Sequence, residues 1–274
     1  MKKHKITFWG VRGSFPISRQ DSVKIGGNTS CVELRTSNNE MIVFDMGSGL
    51  VEFGKKLMSK KNYPKEMSVF ISHFHWDHMI GFLGFAPLFD DQLTINLYGK
   101  EDKLSADEVI DYMLHKTFWP VDMPMFKAKL VPKTFPKSSI RIGNDTKISH
   151  TLHGHPNGAN SYRVELGTHV IAYSTDCEHP ESHLNPNVIE NARDADILIH
   201  DAQYTIEQLP AHKGWGHSTW KQAVDVAKQA NVKKLILFHH DPAHTDEQVR
   251  EIERKAQKEF PNTVAAYQGM TLEL

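Results

Sequence analysis

The stretch His73-Phe74-His75-Trp76-Asp77-His78 decides how the rest of the chain is read. It sets three histidines and an aspartate within six residues, directly after the apolar run Met67-Ser68-Val69-Phe70-Ile71. An extended segment points residues i and i+2 to the same side, so His73 and His75 can grip one metal ion together. Asp77 and His78 then fall at a strand-to-helix turn, which aims them at a second ion beside the first. Imidazole and carboxylate donors suit zinc or another divalent first-row metal, and a site of this kind activates water. Histidines also cap helices or sit satisfied at a core edge, but this density of ligand types favours the metal.

A two-metal site needs further ligands, and strand ends are where loops converge to supply them. His155 follows the strand-like Lys147–Leu152 within His153-Gly154-His155-Pro156-Asn157-Gly158. Asp176 ends Val170-Ile171-Ala172-Tyr173-Ser174-Thr175, and His239 ends Leu235-Ile236-Leu237-Phe238. Each polar side chain follows a run that should be buried, which is costly unless the group is paired or holds a metal. His153 competes with His155, and His240 with His239. Strand alternation alone does not choose between the last two.

The remainder of the chain is ordinary globular protein. Of 274 residues, 39% are hydrophobic and 24% charged, enough for one large domain, and we read 1–274 as a single domain. A net charge of −1 gives no global basic field, so no extended nucleic-acid surface is expected and a small phosphate ester suits the balance at least as well. Two cysteines, Cys31 and Cys177, form no C-x-x-C pair and read as buried free thiols in a reducing compartment. The start Met1-Lys2-Lys3-His4-Lys5 precedes too short an apolar run for a signal peptide, and no run of about 18 apolar residues occurs, so we expect a cytoplasmic protein without membrane contact.

Strands are expected at His4–Trp9, Cys31–Thr36, Met41–Asp45, Thr94–Tyr98, Ser161–Leu166 and Ile197–His200, besides those already named. Helices are expected at Gly49–Lys60, Ser105–His115, Ser218–Gln229 and Thr245–Lys258, the second and last opened by the capping boxes Ser105/Glu108 and Thr245/Gln248. Strand-rich halves that each carry helices imply an α/β fold. Thr117-Phe118-Trp119-Pro120-Val121-Asp122-Met123-Pro124-Met125-Phe126 is too apolar for a linker. It marks a lid, a subunit contact or a packed loop near 116–136, and leaves a homodimer open.

The His-x-His-x-Asp-His run, a lone histidine, an aspartate after a strand and a terminal histidine, in that order, resemble the metallo-β-lactamase superfamily over nearly the whole chain. That resemblance implies an αββα sandwich, two mixed β-sheets packed face to face with helices outside. It implies that His73, His75 and His155 hold one metal, that Asp77, His78 and His239 hold the other, and that Asp176 bridges them. Two divalent ions follow, zinc favoured over manganese or iron, with Asp77 counted also among the catalytic groups and Asp45 orienting the histidine loop. By alignment with the family, His155 and His239 are preferred to His153 and His240.

Gly214-Trp215-Gly216-His217-Ser218-Thr219-Trp220 narrows the branch. His217-Ser218-Thr219 resembles the motif of ribonuclease Z and its phosphodiesterase relatives, where the histidine assists at the phosphate or the leaving oxygen. Asp201, in Leu198-Ile199-His200-Asp201-Ala202, stands where ribonuclease Z carries glutamate and is expected to orient His217. Only positions 156–175 separate His155 from Asp176, which leaves no room for that enzyme's tRNA-gripping arm. Phe8-Trp9-Gly10-Val11-Arg12-Gly13-Ser14-Phe15-Pro16 and Gly26-Gly27-Asn28-Thr29-Ser30-Cys31 look like small metal-dependent phosphodiesterases, including cyclic-nucleotide hydrolases and the similar anti-Pycsar phosphodiesterases. Arg12 is read either as a phosphate contact or as a structural arginine, and Phe118 and Trp119 as candidates to stack on a base.

The expected function is therefore hydrolysis of a small phosphodiester, foremost a cyclic nucleotide, by a metal-bridging hydroxide. The alternatives are a ribonuclease acting on RNA ends and a carboxyl or thioester hydrolase of the same fold.

Overall fold

Runs of β-branched and aromatic residues bounded by glycine, asparagine and proline become the strands of this protein. The computed structural model describes residues 3–99, 105–136 and 138–274; Met1 and Lys2 of the basic start lie outside the described residues. In chain order the strands are β1 (Lys5–Gly10), β2 (Cys31–Arg35), β3 (Met41–Phe44), β4 (Glu66–Phe70), β5 (Thr94–Tyr98), β6 (Lys129–Lys133) and β7 (Ile140–Ile142). They continue as β8 (Thr146–His153), β9 (Ala159–Leu166), β10 (His169–Ser174), β11 (Ile197–Asp201), β12 (Leu235–Phe238), β13 (Thr263–Ala265) and β14 (Thr271–Glu273). The helices are α1 (Gly49–Met58), α2 (Trp76–Met79), α3 (Ala106–Met113), α4 (Pro186–Ala192), α5 (Trp220–Gln229) and α6 (Asp246–Glu259).

Two compact units result, the first from Met1–Gly10, Asn28–Phe135 and Gly269–Leu274, the second from Val11–Gly27 and Pro136–Gln268. The first holds a seven-stranded sheet ordered β14-β1-β2-β3-β4-β5-β6, antiparallel from β14 to β3 and parallel from β3 to β6. Register pairs Phe44 with Phe70, so the loops leaving β3 and β4 start side by side and bring Asp45 next to Ser72. On α1 the buried residues Leu50, Phe53 and Leu57 repeat at helical spacing and join a core with Met46, Phe82, Phe85 and Leu88. Each such side chain contributes roughly 1.5–3 kcal/mol by leaving water, so α1 holds its place by that stripe.

The second unit holds a seven-stranded sheet ordered β13-β12-β11-β10-β9-β8-β7, antiparallel from β7 to β10 and parallel from β10 to β13. Ser174 pairs with His200 and Asp201 with Phe238, which sets the carboxyl ends of β10, β11 and β12 in one row. Those ends carry Asp176, Asp201 and His239. Carboxyl ends of parallel strands are the usual place for ligands in open α/β sheets. Trp220, Ala223, Val224 and Ala227 form the buried face of α5, and Val249, Ile252 and Ala256 that of α6. Among the described residues no helix is long and apolar enough to cross a membrane.

Element ends shift by a residue or two from the sequence reading, as fraying ends do. Thr219 caps α5, accepting from the Gln222 amide, so the helix expected from Ser218 begins at Trp220. Sequence reasoning missed β6, β7, β13, β14 and α4. All four strands are short and terminal in their sheets or next to the end, where no clear alternation develops, and β6 contains Pro132, tolerated on its edge. Asn185 followed by Pro186 was a readable signal for α4: the Asn185 side chain accepts from the Asn187 amide and proline takes the first helical position.

The Thr117–Phe126 segment is a loop packed on the first unit. Trp119, Met123 and Phe126 lie against its core, with Phe126 edge-on to Phe82 and Phe89, while Phe118 is 73% exposed.

Arg12 is structural. Its guanidinium is fully buried in the second unit and donates to the carbonyls of Gly26 (2.9 Å), Asp241 (2.9 Å) and His244 (2.8 Å), with Asp246 at 3.9 Å. Burial lowers its pKa to about 10, so the charge persists at neutral pH. Arg12→Met keeps length and loses all three bonds, leaving buried carbonyls uncompensated. We expect a loss of about 3 kcal/mol, read as a lower urea midpoint at unchanged slope.

Candidate metal-binding clusters

In the first unit the residues around the histidine run are held from beneath by a single carboxylate. Asp45 is completely buried and adopts φ 62°, a left-handed conformation uncommon outside glycine. Its Oδ1 accepts the Ser72 amide (2.7 Å); its Oδ2 accepts from the Ser72 hydroxyl (3.0 Å) and from His78 Nδ1 (2.9 Å). The Ser72 hydroxyl also meets His73 Nδ1 at 3.0 Å. Because that hydroxyl gives its proton to Asp45, it accepts the Nδ1 hydrogen of His73. Both imidazoles are thereby set to present Nε2, and His78 Nε2 lies 3.2 Å from Asp77 Oδ2. The rings of His73 and His75 are 4.4 Å apart, those of His73 and His78 4.3 Å.

The second unit holds the remaining candidates at the ends of its parallel strands. Ligand atoms of Asp176, Asp201, His217 and His239 all lie within 4.8 Å of one another, and all four residues are buried. His239 Nε2 is 3.1 Å from Asp176 Oδ2, while its Nδ1 donates to Gln203 Oε1 at 2.9 Å. His155 presents Nε2 4.0 Å from Asp176 Oδ1 and donates Nδ1–H to the Gly216 carbonyl at 2.9 Å. His240 faces elsewhere: its Nε2 donates to the Ala266 carbonyl at 2.9 Å, and burial beside Arg12 depresses its pKa to about 3. Asp201 is a hub. Its Oδ2 accepts from His217 Nδ1 (2.9 Å) and the Asp176 amide (3.1 Å), its Oδ1 from the amides of Gln203 (3.0 Å) and Ser218 (3.1 Å). His217 stacks on His239 with centroids 5.1 Å apart.

Ser72, Gln203 and the Gly216 carbonyl belong to this machinery and were missed in the sequence. Nothing in a lone serine, glutamine or glycine flags such a role. Asp176 (φ 53°) and His239 (φ 58°) share the left-handed backbone of Asp45. Three strained strand ends, two carrying candidate ligands and the third the carboxylate that holds the histidine run, are what a site held by its surroundings shows.

These donor sets fit divalent metal. Four imidazoles have Nδ1 engaged by oxygen and Nε2 presented, the pattern that orients histidine ligands. In each unit an Nε2 and a carboxylate oxygen lie 3.1–3.2 Å apart, the separation of neighbouring ligands on one ion. Gly216 offers a test. At φ 91° a side chain there is strained, and a Cβ would stand 2.0 Å from His155 Nδ1. Gly216→Ala is expected to weaken zinc binding about 10–100-fold by displacing His155, as measured by competition with a chelating dye; unchanged affinity would remove His155 from the ligand set.

A family model described as Beta-lactamase superfamily domain matches residues 41–240. The chain is 27% identical to the ribonuclease Z of Methanosarcina acetivorans over 316 aligned residues, covering 98% of each chain. Its structure is similar to that of the metallo-beta-lactamase fold protein YhfI from Bacillus subtilis, with a TM-score of 0.73 and 21% identity over 100% of both chains. It is also similar to a diphosphatase from the PhnP family, with a TM-score of 0.70 and 17% identity over 99% of this chain and 98% of that one.

Proposed function

Since this chain belongs to the beta-lactamase superfamily, we propose that it is a metal-dependent phosphodiesterase acting on a small phosphodiester, with a cyclic nucleotide as substrate. Its fold is the metallo-β-lactamase α/β fold, with two mixed seven-stranded sheets and helices, and it is a metal-dependent hydrolase of the ribonuclease Z-like branch. In this reading His73, His75 and His155 hold one divalent ion, Asp77, His78 and His239 a second, and Asp176 serves both. The grouping follows the order of the family's motifs in the chain. When bound, the two ions, zinc foremost, acidify water and neutralise charge on phosphate oxygens.

The observation that carries the reading is the Asp201–His217 pair at 2.9 Å. Asp201 accepts the Nδ1 hydrogen and stabilises the imidazolium, and His217 donates from Nε2 to the leaving oxygen. An alkoxide leaving group needs that proton. A thioester hydrolase, whose thiolate departs without a proton, has less use for it, which disfavours that alternative.

A cavity of about 510 Å³ in the first unit supports a base-bearing substrate. It is lined by Phe74, Trp76, Tyr112, Met113, His115 and Phe118, with Phe74 and Trp76 interleaved among the metal-binding residues. Exposed rings such as Trp76 and Phe118 offer faces for stacking. Trp119 instead packs against the core.

A second reading, cleavage at RNA ends, draws support from the ribonuclease Z relative. Against it, β9 and β10 fill the space between His155 and Asp176, so no arm is inserted there, and the net charge is −1. The two buried free cysteines suit a reducing cytoplasm. A panel of cyclic mononucleotides and a tRNA precursor, each assayed with metal-loaded enzyme, separates the readings. Turnover of cyclic nucleotides supports the first. Precursor cleavage alone, weakening steeply with salt, would replace it with the second.

A further inference from the structure

We infer that the second unit carries an additional, structural metal site formed by Cys177, His179 and His200. Ligand atoms of the first three lie within 4.8 Å of one another, and all three residues are buried. Cys177 Sγ is 3.5 Å from His200 Nε2. Zinc–sulfur and zinc–nitrogen bonds of about 2.3 and 2.0 Å at a tetrahedral angle separate the two ligand atoms by about 3.5 Å, so this pair already has the spacing of an occupied site.

The tautomers agree for His200. Its Nδ1 donates to the Asp201 carbonyl at 2.7 Å, which leaves the Nε2 lone pair aimed at the cysteine. His179 lies parallel to His200 with centroids 5.6 Å apart, and its buried Nε2 has no hydrogen-bond partner. Its Nδ1 accepts the Asn185 amide at 3.0 Å, so the metal-free ring carries its proton on Nε2 with nothing to receive it. Coordination moves that proton to Nδ1 and gives up the Asn185 contact, exchanging one hydrogen bond for a metal bond. His153 is buried, and neither ring nitrogen has a hydrogen-bond partner. A pocket of unpaired imidazole nitrogens around one thiol is costly unless something binds them.

The site would act as a brace. His200 neighbours Asp201 on β11, and adjacent strand residues point to opposite faces. Cys177 follows Asp176. An ion held by these three residues ties together the ends of β10 and β11 from behind the residues assigned to catalysis.

Cobalt(II) tests this without reference to turnover. The proposed catalytic ligands are all nitrogen or oxygen, and only Cys31 and Cys177 can supply a thiolate. Protein reconstituted with cobalt should show a thiolate-to-cobalt charge-transfer band in the near ultraviolet. The band should persist in Cys31→Ser and vanish in Cys177→Ser, with one metal equivalent fewer per chain and a lower melting temperature. Should Cys177→Ser fail to fold, the wild-type and Cys31→Ser spectra decide. A wild-type spectrum with cobalt bound but no thiolate band, or a band lost in Cys31→Ser, overturns the site. Failure of the phosphodiesterase reading would leave the band untouched.

Discussion

His75→Ala is expected to lower turnover by more than about 10³-fold and to reduce bound metal, with partial recovery in excess zinc. His75 stands between two residues whose own positions are tightly determined. On one side Ser72 and Asp45 fix His73, and on the other Asp45 fixes His78. His75 is only half-buried, so its loss should remove a ligand without collapsing the loop, and the fold should survive. That separates metal loss from unfolding: a melting transition near wild type, with metal and activity gone, is the expected pair of readings. The thiolate–cobalt band should also remain, because Cys177 belongs to the other unit. Full turnover with an intact metal content would refute the ligand role.

The histidine run could be read from sequence because its ligands are contiguous and lie at the end of one apolar strand. Contiguity makes chemistry legible. The second cluster was legible only through its order along the chain, since 84 positions separate His155 from His239 and only the parallel register of β10, β11 and β12 brings Asp176, Asp201 and His239 into one row. What fixes those ligands was not legible at all. Gln203 reaches His239 across 36 residues, and Ser72 acts through a hydroxyl that any exposed serine also has. The left-handed backbones of Asp45, Asp176 and His239 have no signature in these residue types, for such strain is set by the packing around them. Arg12 marks what a motif leaves open between a phosphate contact and a structural role. It sits in a segment rich in glycine and aromatic residues that suggests phosphate binding, yet three carbonyls occupy its guanidinium.

His217→Ala should retain the full complement of metal and lose about 10²–10⁴-fold in kcat on substrates with an alkoxide leaving group. The ring donates from Nδ1 to Asp201, which keeps its three backbone donors when the imidazole is gone. The row of strand ends therefore stays in place. The deficit should depend on the leaving group. An ester of p-nitrophenol departs as a stable anion and needs little proton donation, so the variant should approach wild type on bis(p-nitrophenyl) phosphate while failing on a cyclic nucleotide. A residue with a merely structural role would depress both substrates equally. Asp201→Asn makes the complementary point at greater cost. Its amide can still accept from some of the donors but turns an N–H toward either His217 or a backbone amide, so it should lose activity on both substrates and stability as well. Equal kinetics for His217→Ala and wild type on the cyclic nucleotide would sink the acid assignment, and with it the main reason to prefer a phosphodiester over a thioester.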